Sequence, residues 1–469
     1  MSTSSLLSSL LSSSSSSVDI SSILQAAYGA SSSGIDVTTA VNAAVTAARA
    51  PENAWYSQES TLQSQISSLT TIQTHATSLQ NDMESLNSIV GPLSSMTVSS
   101  SNSSIVTASA ALASSAGNHV VVVNNLATTA SWISASYASS STALPAGSFT
   151  ITTGDGTATT ITTDGTQTLT DIASQINGDG LGLTANVVND ANGARLALVA
   201  NSTGSASNFT VTSTDSSSPA FTQAATGTNA SLTVDGISVS SATNSVTGVI
   251  PGVTLTLTGA NPGTQVSLAV KPDTSSIQSA LEQFVSDYNS VMSDLTSQFT
   301  FTSGSQGVLA TDSTIRDLQN SVLSALNYTF TPTSGSTTIP NLSALGITAD
   351  NTGQLSLDST KLQSALANNF SDVQQFFQGA SMNGFANSFD QQLTEFTSSS
   401  NGAFTVDLQT MNNQVSDLAD TISNFETNYI TPLQTKLQSA YSQAEIALQQ
   451  LPITLKQIQS ELGNNNSNG

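Results

Sequence analysis

Cysteine is absent from this chain, which excludes disulfide staples and thiolate metal sites. Basic residues are almost as scarce: Lys and Arg number 7 against 30 Asp and Glu, for a formal net charge of −23. That imbalance disfavours nucleic acid, whose phosphates need cationic side chains to displace counterions, and equally disfavours an anionic membrane surface. Charged residues of either sign make up only 8% of the 469 residues, so Ser and Thr carry the polarity and few ion pairs are left to set helix register. No uninterrupted apolar run approaches the length of about eighteen residues that a membrane span needs. The opening residues MSTSSLLSSLLSSSSSSVDI lack a basic n-region and a long apolar h-region. They read as a disordered Ser-rich leader over 1–34 rather than a cleaved secretory signal. An extracellular role would then require export by a route that leaves the N-terminus uncut.

Catalytic chemistry is equally hard to assemble. His75 falls on a helical stretch and His119 just before an apparent strand, and neither has a second ligand at a useful spacing. His75 reads as a helix-surface residue. Asp155, Asp164, Asp171 and Asp179 loosely suggest calcium, but the short fixed register of oxygen ligands that calcium loops use is missing. They read as residues that begin hairpin turns. No phosphate loop, nucleophile elbow or paired carboxylates stand out. The expectation is a protein with no catalytic residue, no metal and no cofactor, and not an enzyme.

What the chain does contain is helical periodicity at both ends. Leu408, Met411, Val415, Leu418, Ile422, Phe425 and Tyr429 alternate steps of three and four, the seam spacing of a coiled coil. Steps of four then lead through Leu433, Leu437 and Tyr441, a stutter, before the alternation resumes at Ala444, Leu448, Leu451, Leu455, Ile458 and Leu462. Pro432 and Pro452 predict kinks or breaks in this segment after Phe425, since proline removes a backbone donor and clashes with the preceding turn. Near the start, Leu62, Ile66, Leu69, Ile72, Ala76, Leu79, Met83, Leu86 and Val90 follow the same rule, and Ile277, Leu281, Phe284, Tyr288, Met292 and Leu295 form a third stripe. Each stripe alone fits the core of a helical bundle. Their placement at both ends points to a chain that folds out and back as one elongated assembly rod.

The middle has a different grammar. Residues 120–123, 149–153, 159–163, 183–188, 196–199 and 209–212 are β-branched or alternating, with Gly154-Asp155-Gly156, Asp164-Gly165 and Asn192-Gly193 as tight hairpin turns between them. One short helix is predicted over 170–176, with Thr170 or Asp171 as its cap. A second β block covers 232–234, 237–239, 253–257 and 266–270, with turns at Asp235-Gly236, Pro251-Gly252 and Asn261-Pro262-Gly263; Pro272 closes it before a helix starting near Thr274. The predicted fold is α+β and multidomain, with terminal helices forming a coiled-coil or helical-bundle leg that encloses nested β-rich domains. A chain this long should divide into about three domains. The division expected is a leader over 1–34, an N-terminal helical leg over 35–98, an inner β domain from 99–130 and 228–273, an outer β-rich domain over 131–227, a returning helical domain with a hairpin-like insertion over 274–398, and C-terminal coiled-coil helices over 399–469.

Gly34-Ile35-Asp36-Val37, Ala47-Ala48-Arg49-Ala50-Pro51 and the helix bearing Leu62 and Ile66 resemble the N-terminal signature of the bacterial flagellar filament cap family, also called flagellar hook-associated protein 2. Leu232-Thr233-Val234-Asp235-Gly236-Ile237, the stretch 249–257 and Asp287-Tyr288-Asn289 are similar to that family's second β block and returning helix. The stretch 169–176, followed by Leu183-Thr184-Ala185, Arg195-Leu196-Ala197-Leu198 and Thr203-Gly204, resembles the module shared by flagellins and cap proteins. Leu345-Gly346-Ile347, 353–358 and Val373-Gln374-Gln375-Phe376-Phe377 follow in the family order. The resemblance implies a homo-oligomeric ring at the distal end of the flagellum, outside the cell, that promotes folding and insertion of exported flagellin. It further implies export through the flagellar type III channel, contact with hook-filament junction proteins, and a C-terminal segment that binds an export chaperone. On that reading Leu62, Ile66, Leu69, Leu79, Leu86, Leu408, Met411, Val415, Leu418, Ile422 and Phe425 carry coiled-coil assembly, and Leu437, Tyr441, Leu448 and Leu455 are the candidate chaperone-binding residues.

Two rival readings share some of these features. A flagellin or hook-filament junction protein also has helical ends and exported β domains, although the 35–37 entry and the Pro251-Gly252-Val253 block favour the cap. A secreted surface adhesin suits a Ser/Thr-rich β region but should carry a cleavable signal or an anchor.

Overall fold

The computed structural model describes residues 37–465 apart from 113, 215–217, 302–305, 333–334 and 336. The expected leader over 1–34 lies outside the described residues, as do Gly34, Ile35 and Asp36.

The chain enters through two helices, α1 (Val37–Ala48) and α2 (Ala50–Asn87), the second of 38 residues. Buried side chains recur along α2 from Leu62 through Leu69, Ile72, Ala76, Leu79 and Met83 to Leu86, so its apolar stripe faces inward over most of its length. The helix stops at Asn87, where Ser88 turns extended, and the Leu86 and Ser88 carbonyls accept from the Gln378 side-chain amide at 3.3 and 3.0 Å. Gly91 follows because a Cβ there would collide with the Ser85 carbonyl. Val90 was expected on the α2 stripe. It lies beyond the helix end and is 64% exposed.

Strands begin at once with β1 (Met96–Ser100), β2 (Val106–Ala110) and β3 (Gly117–Asn125). β1 therefore starts inside the stretch 35–98 expected to be helical leg, because its ladder runs from Met96 opposite Pro272 to Ser100 opposite Leu268. The chain then crosses into β4 (Thr129–Ser134), β5 (Gly147–Thr152), β6 (Ala158–Thr163), helix α3 (Leu169–Gly178), β7 (Leu183–Asp190), β8 (Gly193–Thr203), β9 (Thr210–Ser213) and β10 (Phe221–Ala225). It returns through β11 (Ala230–Val234), β12 (Ile237–Ser241), β13 (Ser245–Ile250), β14 (Val253–Leu257) and β15 (Val266–Pro272).

Strand order explains the nesting. A five-stranded sheet β1-β15-β3-β11-β12 and a three-stranded sheet β13-β14-β2 draw on both sides of the crossing and bury one core, in which Val106, Val121, Leu232, Leu255 and Leu268 are fully buried. Between those halves the chain builds a separate unit from a sheet β10-β4-β8-β7, a sheet β6-β5-β9 and α3, around Phe149, Ile151, Ile161, Ile172, Ile176 and Leu198. The Asp235-Gly236 turn has both φ angles positive, 50° and 83°, as a two-residue hairpin between β11 and β12 requires.

Three details differ from the sequence reading. Thr168 caps α3: its hydroxyl accepts from the Asp171 amide while the Asp171 carboxylate accepts from Thr168, a capping box, so neither Thr170 nor Asp171 is the N-cap. Asp164-Gly165 joins β6 to α3 rather than closing a hairpin. Of the four aspartates expected to begin hairpin turns, Asp155 sits between β5 and β6, whereas Asp171 lies in the first turn of α3 and Asp179 at its C-cap.

Beyond Pro272, the Asp273 carboxylate accepts from the Ser275 and Ser276 amides and starts α4 (Thr274–Phe299). The chain continues through α5 (Ser313–Ala325), a hairpin of β16 (Ile347–Ala349) and β17 (Leu355–Leu357), α6 (Ser359–Asn368), α7 (Phe370–Gln378) and α8 (Phe385–Thr397). It ends in α9 (Ala403–Phe425), a π turn over Glu426–Ile430, and α10 (Thr431–Asn465). One core holds α2, α4, α5, α6, α7 and α8 together, with Phe284, Tyr288, Phe376, Phe377, Phe385 and Phe389 fully buried. The α2 and α4 stripes thus meet as bundle core over most of their length, the plainer of the two ways such a stripe can be used.

Asp287, Tyr288 and Asn289 each face a different neighbour. Tyr288 is core, and the Asn289 amide braces the small hairpin, donating to the Leu355 carbonyl at 2.8 Å and accepting from its amide at 2.7 Å. Asp287 meets Asp82 of α2, whose carboxyl is pushed up to about 7 by burial first and by the Asp287 charge second. Two turns away on the same interface, His75 and Asp294 approach to 2.6 Å, so His75 ties α2 to α4 instead of merely decorating a surface. Because the folded-state pKa of Asp82 lies above its unfolded value, protonation favours the fold. The contribution is complete only below the ordinary carboxylate value of 3.8, shrinks as pH rises from there, and is gone above about 7. Thermal melts of the full chain should show the bundle transition falling between about pH 4 and about pH 7 and levelling off above that, and Asp82→Asn should flatten that slope; an unaltered slope in the variant would rule out this pair as its source.

Candidate functional site

Outside the bundle core, the helical ends pair with each other. α9 runs back along α2, and α10 runs back along α1. The apolar spacing in α9 brings Leu408, Met411, Val415 and Leu418 to half-buried positions, with Ile422 buried. Leu408 and Met411 pack on the edge of the bundle core. Phe425 is half-buried with its ring edge-on to Trp55, centroids 5.2 Å apart. On the facing side Leu62 is buried and Ile66 half-buried, while Leu69, Leu79 and Leu86 lie deep in the bundle. The eleven residues expected to share one coiled-coil seam therefore divide between a bundle interior and an exposed two-helix arm.

A second small core lies further out. Val41 and Val45 of α1 and Ile430 of the π turn are buried, with Val37, Ala48, Phe425, Leu437 and Tyr441 packed around them. The sequence pattern put Tyr429 on the seam, but Tyr429 is 51% exposed and Ile430 only 1%. The cause is the π turn. It places one extra residue in a helical turn and rotates everything after it, which is how the chain accommodates the stutter. Pro432 falls in the first turn of α10, where its missing donor is tolerated, and the helix runs on through Pro452, so neither proline breaks it.

Leu437 and Tyr441 are the last of the expected residues with partners on α1. Past them, Leu448, Leu451, Leu455 and Ile458 are 38%, 52%, 55% and 47% exposed, so Leu448 and Leu455 do not join Leu437 and Tyr441 on one covered face.

The polar group at this level was missed from the sequence. The Arg49 guanidinium reaches Glu52 on its own strand of the arm, Nη1 to Oε2 at 2.8 Å, and engages Glu426 on the other strand with both terminal nitrogens, Nη2 to Oε2 at 3.0 Å. Hydrogen bonding to Glu426 holds the Arg49 pKa above its ordinary value. Glu52 is 2% exposed, and its Oε1 has no hydrogen-bond partner among the described residues. The available signal was the rarity of arginine: a cation placed beside Pro51 in a chain with so few is conspicuous.

Among the described residues no group of three or more His, Asp or Glu side chains could hold a metal, and no helix is long and apolar enough to cross a membrane. The two-stranded helical arm carries a run of exposed apolar residues on α10, from Ile446 to Ile458.

Comparison with known proteins gives a consistent result. Two family models describing the N-terminus and the C-terminus of flagellar hook-associated protein 2 match residues 33–130 and 227–452, and a flagellin hook IN motif matches 148–202 between them. The chain is 28% identical over 308 residues to flagellar hook-associated protein 2 of Aeromonas caviae, covering 60% of this chain and 65% of that one. It is 27% identical over 227 residues to B-type flagellar hook-associated protein 2 of Pseudomonas aeruginosa, covering 46% of this chain and 45% of that one. The matched stretches thus span less than two thirds of either relative. Among solved structures, the D1-D2-D3 domains of the flagellar cap protein FliD from Escherichia coli superpose with a TM-score of 0.57 at 25% identity, covering 74% of this chain and 99% of that one.

Proposed function

The chain belongs to the flagellar hook-associated protein 2 family, and from that premise we propose that it caps the distal end of a bacterial flagellar filament. It works there as a homo-oligomeric ring outside the cell, receives flagellin arriving through the filament, and helps each subunit fold and insert. The observation that carries this reading is the nesting: a helical arm made of both chain ends, a helical bundle, and two β units enclosed between them. The arm reaches filament subunits and the β units form the plate. No bond-making step is needed, and the protein is not an enzyme.

The half-buried seam suits that task. Val415 and Leu418 cover only part of their surface within the chain, so at about 25 cal/mol per Å² of buried apolar area a neighbouring subunit adds modest, reversible stabilisation. A cap that steps as subunits add needs contacts of this strength. The exposed apolar residues of α10 from Leu448 onward are available to an export chaperone before assembly, and the hook-filament junction proteins are the surface on which the ring first sits.

Deleting the gene in its host tests the proposal. The expected strain is non-motile, bears bare hooks by electron microscopy and releases unpolymerised flagellin into the medium, all reversed by the intact gene. Full-length filaments on the deletion strain would refute the cap role. Normal motility with lost surface attachment would favour the adhesin reading.

A further inference from the structure

We infer that Arg49 is a positioning residue that latches the outer arm, α1 with α10, to the inner arm, α2 with α9, across a hinge formed by two aligned helix irregularities. The biological meaning of the latch rests on the reading of the arm as the cap's attachment leg; the geometry does not.

On one strand of the arm, α1 gives way to α2 at Arg49, whose ψ is 1°. The Arg49 amide still donates to the Val45 carbonyl at 3.1 Å and the Asn53 amide to the Arg49 carbonyl at 3.2 Å, so the hydrogen-bond ladder carries on across the irregularity. Pro51 supplies the cause, since it has no N–H and its ring crowds the carbonyl four residues earlier, that of Ala47. On the other strand, the Thr431 amide donates to the Glu426 carbonyl five residues back, closing the π turn, and Pro432 then lacks the donor that would resume the ordinary ladder. Both are recognised sites of helix bending. Arg49 and Glu426 bring them to the same level of the arm.

Little else secures the joint. The outer arm has four buried apolar side chains, Ala40, Val41, Val45 and Ile430, and Phe425 at the end of α9 packs against this small core while its ring meets Trp55 and Tyr429. Among the described residues, Arg49 makes the only Lys or Arg ion pair that joins separate helices; Arg195 pairs with Asp190 inside one hairpin. Its two carboxylates have different tasks. Glu52 is buried one turn along α2 and seats the guanidinium, whereas Glu426 opens the π turn, its amide bonded to the Ile422 carbonyl of α9 and its carbonyl to the Thr431 amide of α10, so a swing of the outer arm pulls on it through that carbonyl. Glu52 is the fixed seat of the latch and Glu426 the moving part.

Because the chain has no cysteine of its own, pairs of introduced cysteines label cleanly. Asn42→Cys with Ser60→Cys spans the bend on one strand, and Asn413→Cys with Ser439→Cys spans the π turn, all at exposed positions. Pulsed electron paramagnetic resonance on the full chain should give one narrow distance distribution for each pair. Arg49→Gln and Glu426→Gln should each broaden both distributions, moving the balance of bent and swung forms roughly tenfold, the scale of one charge-assisted hydrogen-bond pair. The double variant should broaden no further than either single one, because the two residues act through one contact. Arg49→Lys, which keeps the charge but loses the planar fork, should fall between. Unchanged distributions in the single variants, or additive broadening in the double, would overturn the latch. Glu426→Gln keeps the test open should Arg49→Gln fail to fold. Since the readout is bend geometry in the isolated chain, a failed latch and a failed cap function are distinguishable.

Discussion

Leu79→Asp should abolish the cooperative unfolding of the helical bundle while both β units still melt as folded bodies. Leu79 is 0% exposed, in the core that α2 shares with α4 through α8. Removing a buried leucine side chain costs about 2 to 5 kcal/mol by itself. A carboxylate left there loses its hydration among apolar side chains, which adds several kcal/mol or forces protonation. Against a typical total of about 5 to 15 kcal/mol for a domain, the sum removes most of the bundle's stability. The β units have cores of their own that Leu79 does not enter. Circular dichroism should lose the helical transition while NMR retains the dispersed amide signals of the strands. Leu448→Asp, at a position 38% exposed, serves as the control and should leave the melt unchanged. A bundle transition at an unaltered temperature in Leu79→Asp would contradict the packing described.

The second large effect separates two adjacent residues. Ile430→Asp should detach α1 from α10, while Tyr429→Asp should be tolerated, although the heptad pattern names Tyr429 as the seam residue. Ile430 is one of three buried side chains in the outer core, so a charge there removes about a third of that core and exposes Val41 and Val45 to competition from water. Tyr429 is 51% exposed and loses mainly its stacking on Phe425. Hydrogen exchange reads the difference directly. Amides of residues 37–48 and 431–441 should lose protection in Ile430→Asp and keep most of it in Tyr429→Asp. The reverse ranking would mean that the π turn is absent in solution.

Much of this architecture was legible because it rests on period. A helix that buries one stripe has to repeat its apolar residues every three or four positions, so the segments 62–86, 277–295 and 408–425 declare themselves. The turns at Asp235-Gly236 and Pro251-Gly252 were equally visible, since Gly236 and Gly252 adopt positive φ. Period alone does not say against what a stripe is packed. The residues from Leu69 to Leu86 and from Leu408 to Phe425 read alike, yet the first run lies inside the bundle core and the second touches that core only at Leu408 and Met411 before running out along α2. Strands such as β2 (VTASA) and β10 (FTQAA) escaped notice because Ala, Ser and Thr give them almost no apolar alternation; pairing with β14 and β4 makes them strands. The joint at Arg49 was hidden for a different reason: its two partners are 377 residues apart, and only the folded arm brings them together.

The central claim is that this family member sits at the filament tip, and imaging the tip tests it most directly. Filaments from a strain carrying an affinity-tagged but otherwise intact chain, labelled with gold against the tag and viewed by electron microscopy, should bear one cluster of label at the end far from the cell and none along the shaft. Label distributed along the filament, or confined to the junction with the hook, would contradict the cap and return the protein to the flagellin-like or junction readings.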